Sequence, residues 1–277
     1  MMRDRHRAGA APACDCHIHI YDDAYPLAPT ATFRPPHAPV DAYRRVQRAL
    51  GLERVVVVQP TGYGYDNRCL LDALAALGAS ARGVATLPCD VPDAELERLH
   101  AAGVRGVRFM MLAGGVSRWD ELDAMAARIA PLGWHIDLQL DGRTLPDVAP
   151  ALSALRAPLV IDHTGKFLEP VASDAQPFAA LRRLLDGGRT WVKLSAPYET
   201  SRSGAPGYRD VARLASVLAR EHGARCVWGS NWPHPNASPL PDDATLLHWL
   251  RDCAGGAGGA GTADAILADN AAALYGF

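Results

Sequence analysis

Two histidines stand two positions apart in the run Asp15-Cys16-His17-Ile18-His19. In an extended chain, positions i and i+2 share a face, so both imidazoles point into the same space. A third histidine, His163, closes the apolar run that starts at Pro158, and Trp228-Gly229-Ser230-Asn231-Trp232-Pro233-His234 ends another apolar run in a polar tip. Three neutral imidazoles (His17, His19 and His163) could hold zinc with one position left open. Without a metal, a near-neutral pKa lets an imidazole give or take a proton in either direction. A lone H-x-H is a weak signal, since two histidines on a strand are often structural hydrogen-bonding groups. Its company at other strand ends is what points to chemistry.

These residues converge only if a scaffold brings distant strand ends together. Eight short apolar runs read as strands: Ala13–Ile20, Arg54–Gln59, Gly83–Leu87, Gly106–Met111, Trp134–Leu140, Pro158–His163, Thr190–Ser195 and Arg225–Ser230. Between them, apolar residues recur at helical spacing over Val40–Leu50, Cys69–Leu77, Asp93–Ala102, Trp119–Ala130, Leu145–Leu155, Phe178–Leu185 and Tyr208–His222. Gly51, Gly78, Gly103 and Gly133 follow four of these segments and suit helix C-caps. Alternating β and α elements imply a parallel sheet covered by helices, and eight units in about 260 residues predict an α/β fold of the (β/α)8 TIM-barrel type. A doubly wound sheet is the competing architecture, but no Gly-rich phosphate loop follows the first strand. We expect a flexible N-terminal arm over residues 1–12 and a single domain over 13–277. The Gly255–Gly261 stretch reads as a loop before a last helix, Ala263–Leu274.

In such a barrel the C-terminal strand ends line one mouth. Strand two ends at Gln59 and runs on to Tyr63, Asp66 and Asn67; strand four carries Arg105 and Arg108, and strand five Asp137 and Gln139. Strand six delivers Asp162 and His163, with Lys166 in the following turn. Strand seven ends in Lys193 and Ser195, followed by Tyr198, Glu199, Ser201 and Arg202. The motifs DCHIHIY, VVVQPTGYGYDN, GVRGVRF, VIDHTGK, WVKLSAPYE and VWGSNWPH together resemble the amidohydrolase superfamily from Ala13 to Phe277. The likeness is to its branch of lactone-processing enzymes, which contains the 2-pyrone-4,6-dicarboxylate lactonases. Within that branch, QLDG, DHTGKF and the Asn of WGSNWPH bring the chain nearer to the galactarolactone isomerases.

The lactonases usually read WGSDWPH, whereas this chain has Asn231. Asp there takes a proton from the attacking water; Asn cannot, so general-base help of roughly 10²–10⁴-fold is lost. A hydroxyl already on the substrate needs less help, because intramolecular nucleophiles reach effective molarities of about 10⁵–10⁸ M. The resemblance therefore implies isomerisation of a galactaro-type 1,5-lactone to the 1,4-lactone by intramolecular acyl transfer. Its relatives are expected to work without a metal, so no cofactor is expected to be required, although zinc on His17, His19 and His163 stays open. In the metal-free reading His17 and His19 polarise the carbonyl oxygen, His163 shuttles the proton, and Asn231 orients the hydroxyl. Arg108 and Arg202 are the candidate carboxylate clamp, since arginine binds carboxylates in bidentate fashion. Gln59, Tyr63, Asn67, Gln139, Lys166, Tyr198 and Ser201 complete the candidate substrate-binding set, and His234 is expected behind Asn231. Asp162 should point away from His163, Arg105 toward the helices, and His135 lies at the strand end away from the mouth.

Composition excludes other classes. The chain has 277 residues, 49% hydrophobic and 21% charged, as in a globular core. Its formal charge of −2 leaves no electrostatic footprint for nucleic acid. Six cysteines are too few for a disulfide scaffold, and Cys14 and Cys16 read as buried thiols. Only two of the 28 basic residues are lysines, Lys166 and Lys193, which reads as coding bias. No window is apolar for long enough to span a membrane, and the opening residues lack a signal peptide's apolar stretch. The expected partner is a small carboxylated lactone, in the cytoplasm, with oligomeric state open. Three alternatives stay open: a lactonase hydrolysing a 2-pyrone-4,6-dicarboxylate-like or sugar-acid lactone, a zinc-dependent decarboxylase or hydrolase, and a barrel that only binds a sugar acid.

Overall fold

Along each strand, alternate side chains face the helices and the barrel axis, which sorts the apolar residues into two clusters. The computed structural model of the protein describes residues 11–277. Eight parallel strands pair in chain order: β1 (Cys14–Ile18), β2 (Arg54–Val58), β3 (Ala81–Ala85), β4 (Val104–Met110), β5 (His135–Gln139), β6 (Leu159–Ile161), β7 (Thr190–Ser195) and β8 (Cys226–Gly229). Between successive strands lie α1 (Val40–Leu50), α2 (Arg68–Leu77), α3 (Asp93–Ala101), α4 (Leu122–Ile129), α5 (Leu145–Ala154), α6 (Gln176–Asp186) and α7 (Arg209–His222). The ends of β8 and β1 meet through His17 O, which accepts from Asn231 N at 2.8 Å, and Trp232 O, which accepts from His19 N at 2.8 Å. The expected TIM barrel is therefore what the chain forms.

Val55, Val57, Val107, Ile136, Leu138, Leu159, Ile161, Val192 and Leu194 pack outward in the cluster shared with the helices. Inside the barrel, Cys14, Cys16, Val56, Val58, Val84, Val160 and Val227 form a second cluster. Tyr275 and Ala271 of a last helix, α10 (Asp269–Tyr275), join that inner cluster. Beside them, the Arg54 and Arg82 guanidinium carbons stand 4.9 and 4.6 Å from the centre of the Phe277 ring. Cysteines 14 and 16 are indeed buried free thiols.

The structure corrects the expected loop at Gly255–Gly261. Helix α8 (Asp243–Gly258) runs into that stretch, and α9 (Ala260–Leu267) begins just after Gly259, whose φ of 80° ends the first helix. Leu246, Leu247, Trp249, Leu250, Cys253 and Ala254 of α8 are buried, and Asp242 caps the helix by accepting from Thr245 N at 2.7 Å. Burial of that stripe outweighs the poor helix propensity of glycine, roughly 1 kcal/mol per residue. The last helix is also split, with Ala268 (φ −127°, ψ −70°) separating α9 from α10. Of the arm expected over residues 1–12, residues 1–10 lie outside the described residues. Among the described residues, no helix is long and apolar enough to cross a membrane.

Candidate active site

The two histidines of β1 reach the barrel axis by a break in alternation. Asp15 pairs with Val55 but Ile18 with Val57, so β1 spends three residues where β2 spends two. Such a bulge re-aims the residues that follow it. Cys16 therefore packs in the inner cluster, yet His17 also turns inward, its ring 4.8 Å from that of His163 and 4.9 Å from that of His19. Asp15 secures the seam on the β8 side, accepting from Ser230 N at 2.9 Å and Ser230 Oγ at 2.6 Å. Gly229 lies against this seam: a Cβ there would stand 2.5 Å from His17 Cβ and 2.7 Å from His17 N. Backbone cannot swing aside as a side chain can. Gly229→Ala is expected to cost about 1–3 kcal/mol, the range for overpacking, and to displace His17. Urea unfolding midpoints check the first effect and steady-state kinetics the second.

Beneath the mouth lies a fully buried ion centre. Lys193 Nζ sits against Asp137 Oδ2, 3.1 Å from Asp162 Oδ1 and 3.0 Å from His17 Nδ1. Burial opposes the lysine's charge, but the two carboxylates hold its pKa above the ordinary value. Burial also works against Asp162, yet the Lys193 ammonium keeps it well below the usual carboxylate range. Burial and the neighbouring Asp162 push Asp137 up to about 7. Asp162 thus faces the axis rather than pointing away, and His163 joins it there because its backbone turns left-handed (φ 52°).

The ammonium sets the tautomers. It can only donate and is the nearer partner of His17 Nδ1, at 3.0 Å against 3.3 Å for the Asp162 carboxylate, so Nδ1 accepts from it and the proton of this neutral ring is on Nε2. That N–H meets His19 Nε2 at 3.3 Å, and His19 Nδ1–H donates to Val58 O at 2.8 Å. Every nitrogen of the pair is then engaged. Against a metal, this matters: His17, Asp162 and His163 offer ligand atoms within 4.8 Å of one another, but Lys193 already supplies the cation there. The donor set fits an ammonium better than a second positive ion.

Burial holds these rings neutral. It pulls His17 well below the ordinary value, His19 down to about 3 and His163 down to about 4. An unfolded histidine binds a proton near pH 6.5, so below that pH the unfolded chain binds more protons than the folded one. Stability is therefore expected to fall as the pH drops from about 6.5 toward 4, by about 3 kcal/mol for His163 alone. Urea unfolding measured across that range tests it, and a flat profile would contradict neutral burial.

Above the ion centre opens a pocket lined by His19, Arg108, Gln139, His163, Lys166, Glu199 and Asn231, with Tyr21, Thr32 and Phe33 also on its wall. His163 Nδ1 meets Ser195 Oγ at 2.9 Å, which leaves Nε2 unengaged. Left-handed backbone clusters here, at His163, Thr164 and Lys166 after β6, Ala196 after β7, and Asn231, His234 and Asn236 after β8. Each such residue costs on the order of 1–3 kcal/mol, and such strain gathers at functional sites.

The structure brings His17, His19, His163, Asn231, Arg108, Gln139 and Lys166 together. Arg108 is half committed, donating to Gln59 O at 2.8 Å and Gln139 Oε1 at 2.7 Å, while its Nε is buried without a partner among the described residues. Arg202 lies elsewhere: its side chain is 66% exposed and pairs with Glu169. Ser201 bonds Asp210 in the first turn of α7. Gln59 donates to Gly64 O and Asp66 O, Asn67 to Tyr65 O and Thr86 O, and Tyr63 to Asp22 O, so these three shape the loops instead of lining the pocket. Tyr198 stands behind Asn231, and His234 behind Tyr198. Sequence reasoning gave no role to Lys193, Asp137 or Glu199. One signal was available: both lysines of this arginine-dominated chain sit in the site.

The amidohydrolase family model matches residues 14–277. D-galactarolactone isomerase of Agrobacterium fabrum is 37% identical over 265 residues, 90% of each chain. The 2-pyrone-4,6-dicarboxylate hydrolase of Comamonas testosteroni is 37% identical over 253 residues, 87% of this chain and 83% of the other. An apo crystal structure from Agrobacterium tumefaciens, 35% identical, superposes with a TM-score of 0.88 over 98% of both chains. A zinc-bound amidohydrolase of Burkholderia multivorans, 22% identical with a TM-score of 0.74, covers 96% of this chain and shares the fold. With the barrel, the histidine pair on β1 and a family match from its first strand to its last residue, the chain belongs to the amidohydrolase family.

Proposed function

We propose that this site isomerises a carboxylated sugar lactone by intramolecular acyl transfer, without a metal. One observation carries the reading. Asn231 is 1% exposed, its Nδ2 donates to Tyr198 and Glu199, and its Oδ1 has no partner among the described residues. A neutral oxygen at the pocket wall can accept a hydrogen bond from a substrate hydroxyl but cannot deprotonate water. The similarity to a galactarolactone isomerase points the same way.

The substrate hydroxyl attacks the lactone carbonyl carbon, a new C–O bond forms, and the old ring C–O bond breaks. The hydroxyl proton passes to His163 Nε2 and then to the departing ring oxygen, leaving His163 neutral. With Nδ1–H donated to Ser195 Oγ, Nε2 has the lone pair this requires. Arg108 and Lys166 supply the positive edge for the carbonyl oxygen and the substrate carboxylate. Lys193 beneath His17 supports the metal-free reading, so activity is expected to survive exhaustive chelation.

The test is a panel of galactaro- and glucaro-lactones in ¹⁸O-labelled water, followed by NMR and mass spectrometry. Rearranged lactone free of label is the expected product. Labelled open-chain acid, formed faster than the uncatalysed control, would make the protein a lactonase instead.

A further inference from the structure

The hydrogen bonds behind Asn231 have a direction. Asp243 only accepts, so His234 Nε2, 3.1 Å from Asp243 Oδ1, carries a proton, and His234 Nδ1 lies 3.1 Å from the Tyr198 oxygen. Glu199 Oε1 also only accepts, so the Asn231 atom 3.0 Å from it is Nδ2, which donates. The other Nδ2 hydrogen goes to the Tyr198 oxygen at 2.8 Å. Glu199 Oε2 is paired with Lys166. Turning the amide over would set its oxygen against a carboxylate oxygen.

We propose that Glu199 is a positioning residue that holds the carbonyl end of Asn231 toward the substrate, so that Asn231 and Glu199 act as a matched amide–carboxylate pair. The pair deepens the isomerase reading and, for its kinetic consequences, rests on it. It selects a substrate that presents a hydroxyl donor at this wall. Lys166 makes the role specific to a carboxylate. A glutamine at 199 would turn its oxygen to the Lys166 ammonium and its NH₂ to Asn231, which would then rotate and show the pocket its own NH₂. The charged and titratable groups around the pair are Lys166, His163 and Tyr198, with His234 and Asp243 beyond the tyrosine.

The pairing also bears on an aspartate at 231. Two carboxylates at hydrogen-bonding distance do not both ionise. Glu199 keeps its charge through Lys166, so an aspartate opposite it holds the proton and is a poor base.

The experiment compares wild type, Glu199→Gln, Asn231→Asp and the double variant. In ¹⁵N-resolved NMR of the wild type, both Asn231 amide protons are expected to be hydrogen-bonded and slow to exchange; in Glu199→Gln they become fast. Isomerisation kcat is expected to fall about tenfold, a typical loss for one hydrogen bond to a charged group. In ¹⁸O-labelled water, the double variant is expected to form labelled acid about tenfold faster than Asn231→Asp, a loss of one ionised base being worth at least that. Unchanged amide exchange in Glu199→Gln overturns the proposal, as does equal hydrolysis by the single and double variants. The amide measurement needs no substrate, so it stands even if no lactone is turned over and the isomerase reading fails.

Discussion

Replacing Lys193 by methionine is expected to cost about 3–5 kcal/mol of stability, or to leave no folded barrel. Lys193 is fully buried and faces Asp137, Asp162 and His17. Methionine keeps most of the volume but removes the charge, so two buried carboxylates lose their shared partner. Breaking a buried pair from one side leaves an uncompensated charge, which costs far more than the pair contributes when intact. Arg108, 3.9 Å from Asp162, compensates only in part. Adding Asp137→Asn to the variant removes one of the two stranded carboxylates and is expected to recover a large share of the loss. Urea unfolding of the three proteins tests this directly. A Lys193→Met protein as stable as wild type would remove the ion centre from the account of this fold.

Replacing His163 by glutamine is expected to lower isomerisation kcat by roughly 10²–10⁴-fold while changing KM little, the range for loss of a general acid–base group. Glutamine can still hydrogen-bond Ser195, so the packing around β7 is largely kept. What it lacks is a nitrogen that takes a proton from the attacking oxygen and returns it to the leaving one. Burial pulls His163 down to about 4, so above that pH the ring is neutral and its lone pair is available. The wild-type rate is therefore expected to stay level from pH 8 toward 5 and fall as the pH approaches 4. Kinetics of both proteins across that range, with stability followed in parallel, test the assignment. A His163→Gln enzyme within a few-fold of wild type would move the proton relay to another group, with Glu199 the next candidate in the pocket.

Much of the scaffold was legible from local pattern. The valines of β2 and the alternation along β5 and β7 declare their strands, and the helical spacing of Val40–Leu50 declares α1, whose range the structure reproduces. Helix α8 escaped notice because its glycines look like a loop, and only packing against neighbouring elements outweighs that preference. Arg202 looked like a clamp because its type suits carboxylates. Its partner is Glu169, from a loop 33 residues earlier in the chain. A side chain that long has no address in sequence.

By itself, the sequence determined the repeating strand–helix order, and with it a barrel whose strand ends converge on one mouth. It also determined which chemical groups stand there, because strand ends can be counted: the histidines at the ends of β1 and β6, and a neutral amide after β8. Only the tertiary structure decided how those groups are held. A bulge in β1 turns His17 inward beside Cys16, left-handed backbone brings His163 in beside Asp162, and Lys193 from β7 neutralises carboxylates from β5 and β6. Each depends on register between strands distant in the chain. Local propensity chooses strand or helix, but charge pairing and tautomers are set by distances of a few ångströms that exist only once the barrel has closed.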